Sequence, residues 1–510
     1  MMQITLPTQS PTHSLNRHST LNNQRPSPRG TARGLLLLPA VLALAACAIG
    51  PNYHRPTTVT MPMFKENQGW KPATPREVSA GQPWWSIYND PVLDGLEQQV
   101  QVSNQTLKAS EAAFRAAQAA VGIDTGSYFP DITATGSVTR SGGVSQSGAS
   151  VGAAGGARRT LYDAGAQASW SLDVWGRIRR TVESDVARAQ ASAADVAAAR
   201  LSAQVALAED YFQLRSAEQQ MRMYKEYLGD LENALSITQN QVRAGITTLA
   251  DVYAAQTQLE NTQVSDTNVR LKRATFEHAI AVLIGKAPSQ LSLAEGDFTT
   301  TIPVLPAGVP SDLLERRPDI AAAERNVASQ NALIGVAESA WFPDLTLSAS
   351  VGYVSTGLAG LLTAGNSLWS VGPALAETVF NGGARRAQNR QARALYDESV
   401  ANYRQTVLSA FQSVEDDLVT LRVLEQSDEL QVTAVGAARS SEQLTLNQYK
   451  AGIVAYSSVI TAQTTRLTSE ISLLAIQSQQ LVSSVDLVSQ LGGGWEASQL
   501  KLADRGVPAH

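Results

Sequence analysis

An internal repeat constrains the fold of this chain more than any other feature of its sequence. The segment Asn-Gln-Val-Arg-Ala-Gly-Ile at 240–246 recurs as Asn-Gln-Tyr-Lys-Ala-Gly-Ile at 447–453, which is 207 residues later. Likewise, Tyr-Phe-Pro-Asp at 128–131 recurs as Trp-Phe-Pro-Asp at 341–344. Several landmarks that recur in the same order indicate a duplicated structural unit. We therefore predict that most of the chain is two copies of one unit.

The repeat also divides the chain into segments. The linkers and ends lack the periodic patterns of the two copies, so they are assigned separately. We predict a signal peptide with an N-terminal extension at 1–46, a lipidated N-terminal linker at 47–90, the first repeat at 91–300, an inter-repeat linker at 301–317, the second repeat at 318–491, and a C-terminal tail at 492–510.

Each repeat has the same order of predicted elements: a helix, two strands, a very long helix and a returning helix. The first helix ends at Phe-Pro-Asp, because proline disfavours the helical conformation of the residue before it. The strands alternate apolar and polar residues over about 9–11 positions, the length of a tilted membrane strand. The predicted elements are a helix at 93–126, strands at 131–140 and 164–174, and helices at 177–243 and 247–283, then a helix at 320–341, strands at 345–353 and 369–375, and helices at 383–450 and 454–490.

The long helices set the dimensions of the molecule. At a rise of about 1.5 Å per residue, each is roughly 100 Å long. Each ends at an Ala-Gly pair, Ala244-Gly245 and Ala451-Gly452, and glycine after a helix adopts the left-handed conformation that closes it. Each returning helix is about 55 Å long. We therefore expect a first helix and a returning helix to lie end to end along each long helix.

Four strands per chain cannot close a wall in a membrane. A spanning sheet with free edges leaves backbone groups without hydrogen bonds in hydrocarbon, at a cost of several kcal/mol each. The smallest closed membrane barrels need about eight strands. Identical chains must therefore pool their strands around a symmetry axis, and this argument alone allows two, three or four copies.

The N-terminus carries the features of a secretory signal. Arg25, Arg29 and Arg33 precede an apolar run at 34–46, which is too short to span a bilayer. Cys47, the only cysteine, follows Leu-Ala-Ala, a sequence that resembles the bacterial lipobox, in which the thiol receives a diacylglycerol. An ordinary signal with an incidental cysteine is the alternative. Ala48 takes the place of the aspartate that signals retention in the inner membrane.

Composition argues against several classes of function. The formal net charge is −5, and the four arginines of 1–46 make the remainder more acidic still, which argues against a nucleic-acid partner. The five histidines are scattered without metal-ligand spacing. The sequence contains no P-loop, dinucleotide fingerprint or Gly-x-Ser-x-Gly nucleophile motif. We therefore predict no enzymatic activity, no metal and no cofactor.

The landmarks together resemble those of the outer membrane efflux (TolC-like) family, most closely its lipidated OprM-like (NodT-type) branch. The resemblance covers essentially the whole chain after the signal. It rests on Ile-Gly-Pro-Asn-Tyr at 49–53, Trp84-Trp85, Asn-Asp-Pro-Val-Leu-Asp at 89–94, Ser-Leu-Asp-Val-Trp-Gly-Arg at 171–177, Glu-Arg-Arg-Pro-Asp-Ile at 315–320 and Leu-Gly-Gly-Gly-Trp at 491–495.

The resemblance implies a mainly α fold with membrane β structure. Three chains of four strands would form a 12-stranded β-barrel in the bacterial outer membrane, continuous with a 12-helix periplasmic α-barrel. The turns at Ala244-Gly245 and Ala451-Gly452 would contact a periplasmic adaptor (membrane fusion) protein, and an inner-membrane RND transporter would drive export. The same turns can also be read as plain helix caps, and both interpretations can hold at once.

Two aspartates are candidates for the constriction of the tunnel. In OprM-like relatives an aspartate in a Val-x-Asp-x-Leu segment narrows the lumen, and the matching segment at 414–418 points to Asp416. In a symmetric trimer, three copies of this aspartate would place negative charges around a narrow lumen, where they would attract cations and repel anions. A solvated acidic helix face is the alternative. Other relatives place acidic rings just past the tip turn, and Asp251 is the candidate at that place in the first repeat.

These features indicate the outer-membrane component of a tripartite RND-type efflux pump, acting as a passive duct for small molecules. The first alternative is the exit duct of a type I protein secretion system. The lipobox and the closing Gly-Gly-Gly-Trp favour the pump over this alternative. The second is a periplasmic coiled-coil scaffold without a pore, which would need no alternating strands. The sequence does not specify the exported substrate.

Overall fold

The computed structural model describes residues 48–58, 64–66, 83–142, 158–299, 301–303, 316–498 and 500. The chain divides into two compact units, Met1–Cys47 and Ala48–His510, and every described residue belongs to the second. The predicted signal peptide and lipidated Cys47 therefore lie outside the described residues, as do 143–157 between the first two strands and the tail beyond residue 500.

The two repeats fold into matching sets of helices and strands. The long helices of the two repeats have the same length, 67 residues each. Short 3₁₀ turns occur at Trp84–Tyr88, Pro288–Gln290, Leu358–Gly360 and Ala364–Asn366. The main elements are α1 Pro91–Ser103, α2 Gln105–Gly126, β1 Asp131–Ser141, β2 Arg159–Ser171, α3 Arg177–Arg243, α4 Leu249–Leu283, α5 Pro318–Ser339, β3 Asp344–Ser355, β4 Ser367–Ala376, α6 Ala384–Lys450 and α7 Tyr456–Gln490.

The single helix predicted at 93–126 is wrong, because Asn104 divides it into α1 and α2. Asn104 adopts extended backbone angles, φ −61° and ψ 124°. Its side-chain oxygen accepts a hydrogen bond from the backbone N–H of Leu107 at 2.9 Å, and its amide nitrogen donates to the carbonyl of Leu283 at 2.8 Å. Asparagine satisfies the free N–H groups at a helix start well. One side chain therefore caps α2 and binds the end of α4.

The contacts confirm that shorter helices lie end to end along the long ones. The end of α4 meets the start of α2 through Asn104, and both helices pack along α3. In the second repeat Arg317, the residue before α5, donates to the carbonyl of Gln490 at the end of α7 at 3.0 Å. Helices α5 and α7 both pack along α6 and also contact α3, which joins the two repeats. No helix within the described residues is both long enough and apolar enough to cross a membrane.

The four strands form one antiparallel sheet in the order β1-β2-β3-β4. Strand β2 begins and ends earlier than predicted, at Arg159–Ser171 rather than 164–174. Within the described residues, β1 and β4 are each paired on one side only, so the sheet of a single chain has two free edges.

The register of the sheet separates apolar from polar side chains. Residues paired across an antiparallel sheet point to the same face. One row of pairs is Ile132, Ala168, Ala349 and Val371, and the adjacent row is Thr133, Gln167, Ser350 and Ser370. The sheet therefore has one face of apolar side chains and one face of hydroxyl and amide side chains.

An N-terminal strap, defined as residues 48–58 and 64–66, runs across the helices of both repeats. The backbone N–H of Ile49 donates to the carbonyl of Trp175 at 3.1 Å. The guanidinium of Arg180 donates back to the carbonyl of Ile49 at 3.1 Å. Further contacts join the strap to Glu324 of α5 and to Tyr403, Glu415 and Arg422 of α6.

Candidate functional site

The two predicted tip turns have the same backbone geometry. Ala244 ends α3 in helical conformation, and Gly245 follows with φ +71°. The N–H of Gly245 donates to the carbonyl of Val242 at 3.0 Å, and the N–H of Ile246 donates to the carbonyl of Gln241 at 2.9 Å. This hydrogen-bond pair is a Schellman motif, in which glycine supplies the left-handed residue at low cost.

The second turn repeats this arrangement after α6. Ala451 ends the helix, and Gly452 has φ +74°. The N–H groups of Gly452 and Ile453 donate to the carbonyls of Tyr449 and Gln448, both at 2.9 Å. The prediction that both Ala-Gly pairs close the long helices is confirmed.

The structure brings the two turns together at one end of the helical body. The hydroxyl of Tyr449 on α6 donates to Oε1 of Gln241 on α3 at 2.7 Å. The ring of Tyr449 also packs against Tyr456 of α7 with centroids 5.4 Å apart. Beyond these contacts, Ile246 is 73% exposed and Ile453 is 71% exposed. The end of the molecule therefore presents apolar side chains from both repeats.

Asp251 acts as a cap at the start of α4. Its Oδ2 accepts hydrogen bonds from the hydroxyls of Thr247 at 2.5 Å and Thr248 at 2.9 Å, and from the backbone N–H of Thr248 at 3.3 Å. The hydroxyl of Thr247, followed by the groups of Thr248, lowers the pKa of Asp251. The carboxylate is thus held charged at the helix N-terminus, where the dipole also favours it. Its role in a constriction stays a prediction.

Asp416 lies exposed on α6, near the middle of the helix. Its Oδ2 accepts a hydrogen bond from the Gln412 amide at 3.3 Å, one turn earlier. The side chains of Val414 and Leu418 on the same helix are fully buried in the core. Asp416 therefore projects from a helix whose opposite side is anchored by packing, a geometry that suits a lumen-facing group. Its placement in a constriction stays a prediction.

Carboxyl groups from three helices lie close together, linked through Asp486 of α7, which interacts with both Asp417 of α6 and Glu209 of α3. Burial raises the pKa of Asp417 to about 7, with additional effects of the charges of Asp486 and Asp416 and an opposing effect of Arg317. Burial, followed by a hydrogen bond with Asp486, raises the pKa of Glu209 to about 8. Burial raises the pKa of the adjacent Asp210 to about 6. We expect the carboxyl groups of Asp417 and Glu209 to be partly protonated near neutral pH.

No local pattern in the sequence predicts this cluster of carboxyl groups. Its members belong to α3, α6 and α7 and are separated by up to about 280 positions. The adjacent acidic residues Glu209-Asp210 and Glu415-Asp416-Asp417 are the local signal in the sequence, and such runs are common on solvated helix faces. Only the packing of the three helices brings the carboxyl groups together.

An ion-pair network ties α3, α6 and α7 together between the cluster and the tip turns. The Arg466 guanidinium lies 2.7 Å from Glu442 and 3.7 Å from Asp230. Arg439 lies 2.7 Å from Glu470. In the described part of the chain, no group of three or more His, Cys, Asp and Glu side chains is arranged to hold a metal ion.

Comparison with known proteins agrees with this architecture. The profile of the family described as outer membrane efflux protein matches residues 96–286 and 309–493. The chain is 29% identical over 471 residues to the probable efflux pump outer membrane protein TtgC of Pseudomonas putida, over 90% of this chain and 95% of that protein. It is 30% identical over 478 residues to the pyoverdine export outer membrane protein OpmQ of Pseudomonas aeruginosa, over 92% of this chain and 99% of that protein.

The similarity extends to solved structures. The outer-membrane channel OprN superposes with a TM-score of 0.80 at 28% sequence identity, over 88% of this chain and 100% of that one. The profile match includes both repeats and both tip turns. The chain belongs to the outer membrane efflux protein family and is an outer-membrane channel component of an efflux pump.

Proposed function

We propose that three copies of this chain form a passive exit duct for small molecules in an RND-type tripartite pump. The observation that carries this proposal is the sheet with one apolar and one polar face and two free edges. Three such sheets joined edge to edge pair every strand, place the apolar face against lipid and line an aqueous lumen with hydroxyl and amide groups.

The helical body supports the same arrangement. Helices of 67 residues extend roughly 100 Å from the sheet. The apolar tip formed by Ile246 and Ile453 suits a partner with an apolar surface of its own. We propose that this partner is a periplasmic adaptor, with an inner-membrane transporter supplying the energy. The chain itself then needs no catalytic step.

The membrane anchor is part of the proposal. Cys47 follows an apolar run that ends in Leu-Ala-Ala, and the N-terminal strap begins one residue later. We expect acylation of the Cys47 thiol to hold the strap at the membrane. Mass analysis of the N-terminal peptide should show added acyl chains that disappear in Cys47→Ser.

The duct is tested with the acylated full chain in planar bilayers. We expect a mass three times that of the monomer in native mass spectrometry, and discrete single-channel conductance. A chain that stays monomeric and folded in the bilayer, or that gives no conductance, would exclude the duct.

The same recordings test Asp416 as a constriction residue. We expect Asp416→Ala to raise the leak conductance and to lower the preference for cations, because a ring of like charges is removed from a narrow lumen. Glu425→Ala is the matched control, since Glu425 is exposed and lies nine residues further on, about half a turn around the helix. Unchanged conductance and selectivity in Asp416→Ala would remove that residue from the constriction.

A further inference from the structure

We propose that a groove at the junction of the sheet and the helices binds the phosphate headgroups of anionic phospholipids in the periplasm-facing leaflet. The groove lies between the end of α5 and the start of α6. It is lined by Ile49, Glu338, Trp341, Phe342, Arg386, Asn389, Arg390 and Arg393. The inference rests on the proposed membrane placement of the sheet, and it adds a lipid site that the duct function does not require.

Two arginines of this groove have no counter-charge. Arg393 is neutralised by Glu338, with nitrogen and oxygen 2.7 Å apart. Arg386 and Arg390 are exposed, and among the described residues neither takes part in an ion pair or a hydrogen bond. Positions four apart lie on the same helix face, so the two guanidinium groups point to one side of α6. The groove therefore carries an excess of two positive charges.

A comparison of the two repeats shows that the excess of positive charge is specific to the second repeat. Helices α3 and α6 correspond residue by residue at a spacing of 207, and each starts after a glycine with positive φ, Gly176 and Gly383. In α3 the equivalent of Arg386 is Arg179, whose guanidinium lies 3.3 Å from Asp173. The place of Asp173 is taken in the second repeat by Phe380.

A second acid is also replaced. Glu183 pairs with Arg180 at 2.7 Å in α3, and its place in α6 is taken by Arg390. The place of Arg180 itself is taken by Ala387, so the whole Arg180–Glu183 ion pair is absent from the second repeat and Arg390 is an added guanidinium. Arg386 keeps the guanidinium of Arg179 but lacks the carboxylate of Asp173. The missing counter-charges can be supplied by phosphate, which guanidinium groups bind through paired N–H donors.

The surroundings of the groove select a lipid over other anions. Trp341 and Phe342 stand immediately before β3, and Phe380, 87% exposed, follows β4. Aromatic side chains at the ends of membrane strands mark the interface between lipid and water. Ile49 lines the groove two residues after Cys47, so an acylated Cys47 would tether this part of the chain to the bilayer. Headgroup phosphates lie at that level of the membrane.

The test measures lipid preference in reconstituted full-length channel. Spin-labelled phosphatidylglycerol and phosphatidylcholine report the fraction of each lipid that the protein immobilises. A basic residue near the membrane surface contributes enough for about a fivefold change in lipid affinity. We expect a preference for phosphatidylglycerol that falls at least fivefold in Arg386→Gln/Arg390→Gln and falls less in Arg386→Lys/Arg390→Lys, which keeps both charges but loses the paired N–H donors.

The matched control is Lys225→Gln/Lys272→Gln, which removes the same net charge from exposed positions of α3 and α4 and should leave the preference unchanged. Inorganic phosphate should compete no better than chloride at equal ionic strength. An unchanged preference in the arginine double variant would overturn the proposal. Loss of trimer assembly in that variant would also overturn it, because the groove would then bind a second copy of the chain. Absence of any immobilised lipid in the wild type would instead contradict membrane insertion itself.

Discussion

Glu97 offers a test of how burial controls the stability of the helical body. It lies on α1 and is 0% exposed, and both of its carboxyl oxygens lack a hydrogen-bond partner among the described residues. Its neighbours on the same helix face, Leu93, Leu96 and Val100, belong to a hydrophobic cluster that also contains Tyr211. Burial raises the pKa of Glu97 to about 9. The folded chain therefore holds this carboxyl group protonated at neutral pH.

The sign of the effect follows from proton binding. In the unfolded chain the Glu97 carboxyl has a pKa of about 4.5, so between pH 4.5 and 9 the folded state binds one more proton than the unfolded state. The free energy of unfolding must then fall as pH rises, by about 1.4 kcal/mol per pH unit for this one group. From pH 5 to pH 7 the free energy of unfolding therefore falls by about 3 kcal/mol because of Glu97.

We predict that Glu97→Leu removes this dependence. The measurement is denaturant unfolding of the detergent-solubilised channel at fixed protein concentration, since dissociation makes stability depend on concentration. We compare the free energy of unfolding of the variant with that of the wild type at each pH. The contributions from the titration of Asp417, Glu209 and other distant groups cancel in this difference. This difference should increase by about 3 kcal/mol between pH 5 and pH 7.

Glu232→Gln is the control, because Glu232 is an exposed glutamate on α3 whose removal should leave the pH dependence as it is. Glu97→Gln should behave like Glu97→Leu in its pH dependence, although its amide still lacks partners and its absolute stability is lower. A difference between Glu97→Leu and wild type that stays constant within about 0.5 kcal/mol over this range would refute the reasoning.

Other predictions concern the tips. Asp251→Ala removes the acceptor of three hydrogen bonds at the start of α4 and should cost about 1 kcal/mol of local stability, seen as about fivefold faster amide exchange at 248–252. Unchanged exchange would contradict the capping role. Gly245→Ala and Gly452→Ala add a Cβ that meets no atom within 4 Å, so the left-handed backbone alone should cost about 1 kcal/mol each. A far greater loss of tip protection in hydrogen exchange would reveal a contact that the single chain lacks.

The elements of the fold were largely predictable from local patterns. The alternation within β1 and β3 and the proline that follows Phe129 and Phe342 located the strands and the preceding helix ends, because these signals act over a few residues. The break at Asn104 was missed because the helical pattern continues on both sides of it. The capping residue and the carbonyl of Leu283 become a junction only when α4 is in place.

The candidate site likewise has features that local sequence patterns predict and features that they do not. The tip turns were predictable, since the Schellman motif needs only six consecutive residues and one glycine. The proximity of the two turns through Tyr449 and Gln241 was not, because those residues are 208 positions apart. The altered pKa values of Asp417 and Glu209 depend on burial by helices from both repeats, and no local pattern encodes that burial.

By itself, the sequence determined the duplication, the lengths of the helices, the alternation of the strands and the turns that end the long helices, since each depends on residues close together in the chain. Only the tertiary structure decided which carboxyl groups meet, which arginines keep their partners and which glutamate is buried. Burial and charge pairing depend on distances in space, and in a duplicated chain two equivalent positions can differ in their partners, as Arg179 and Arg386 do.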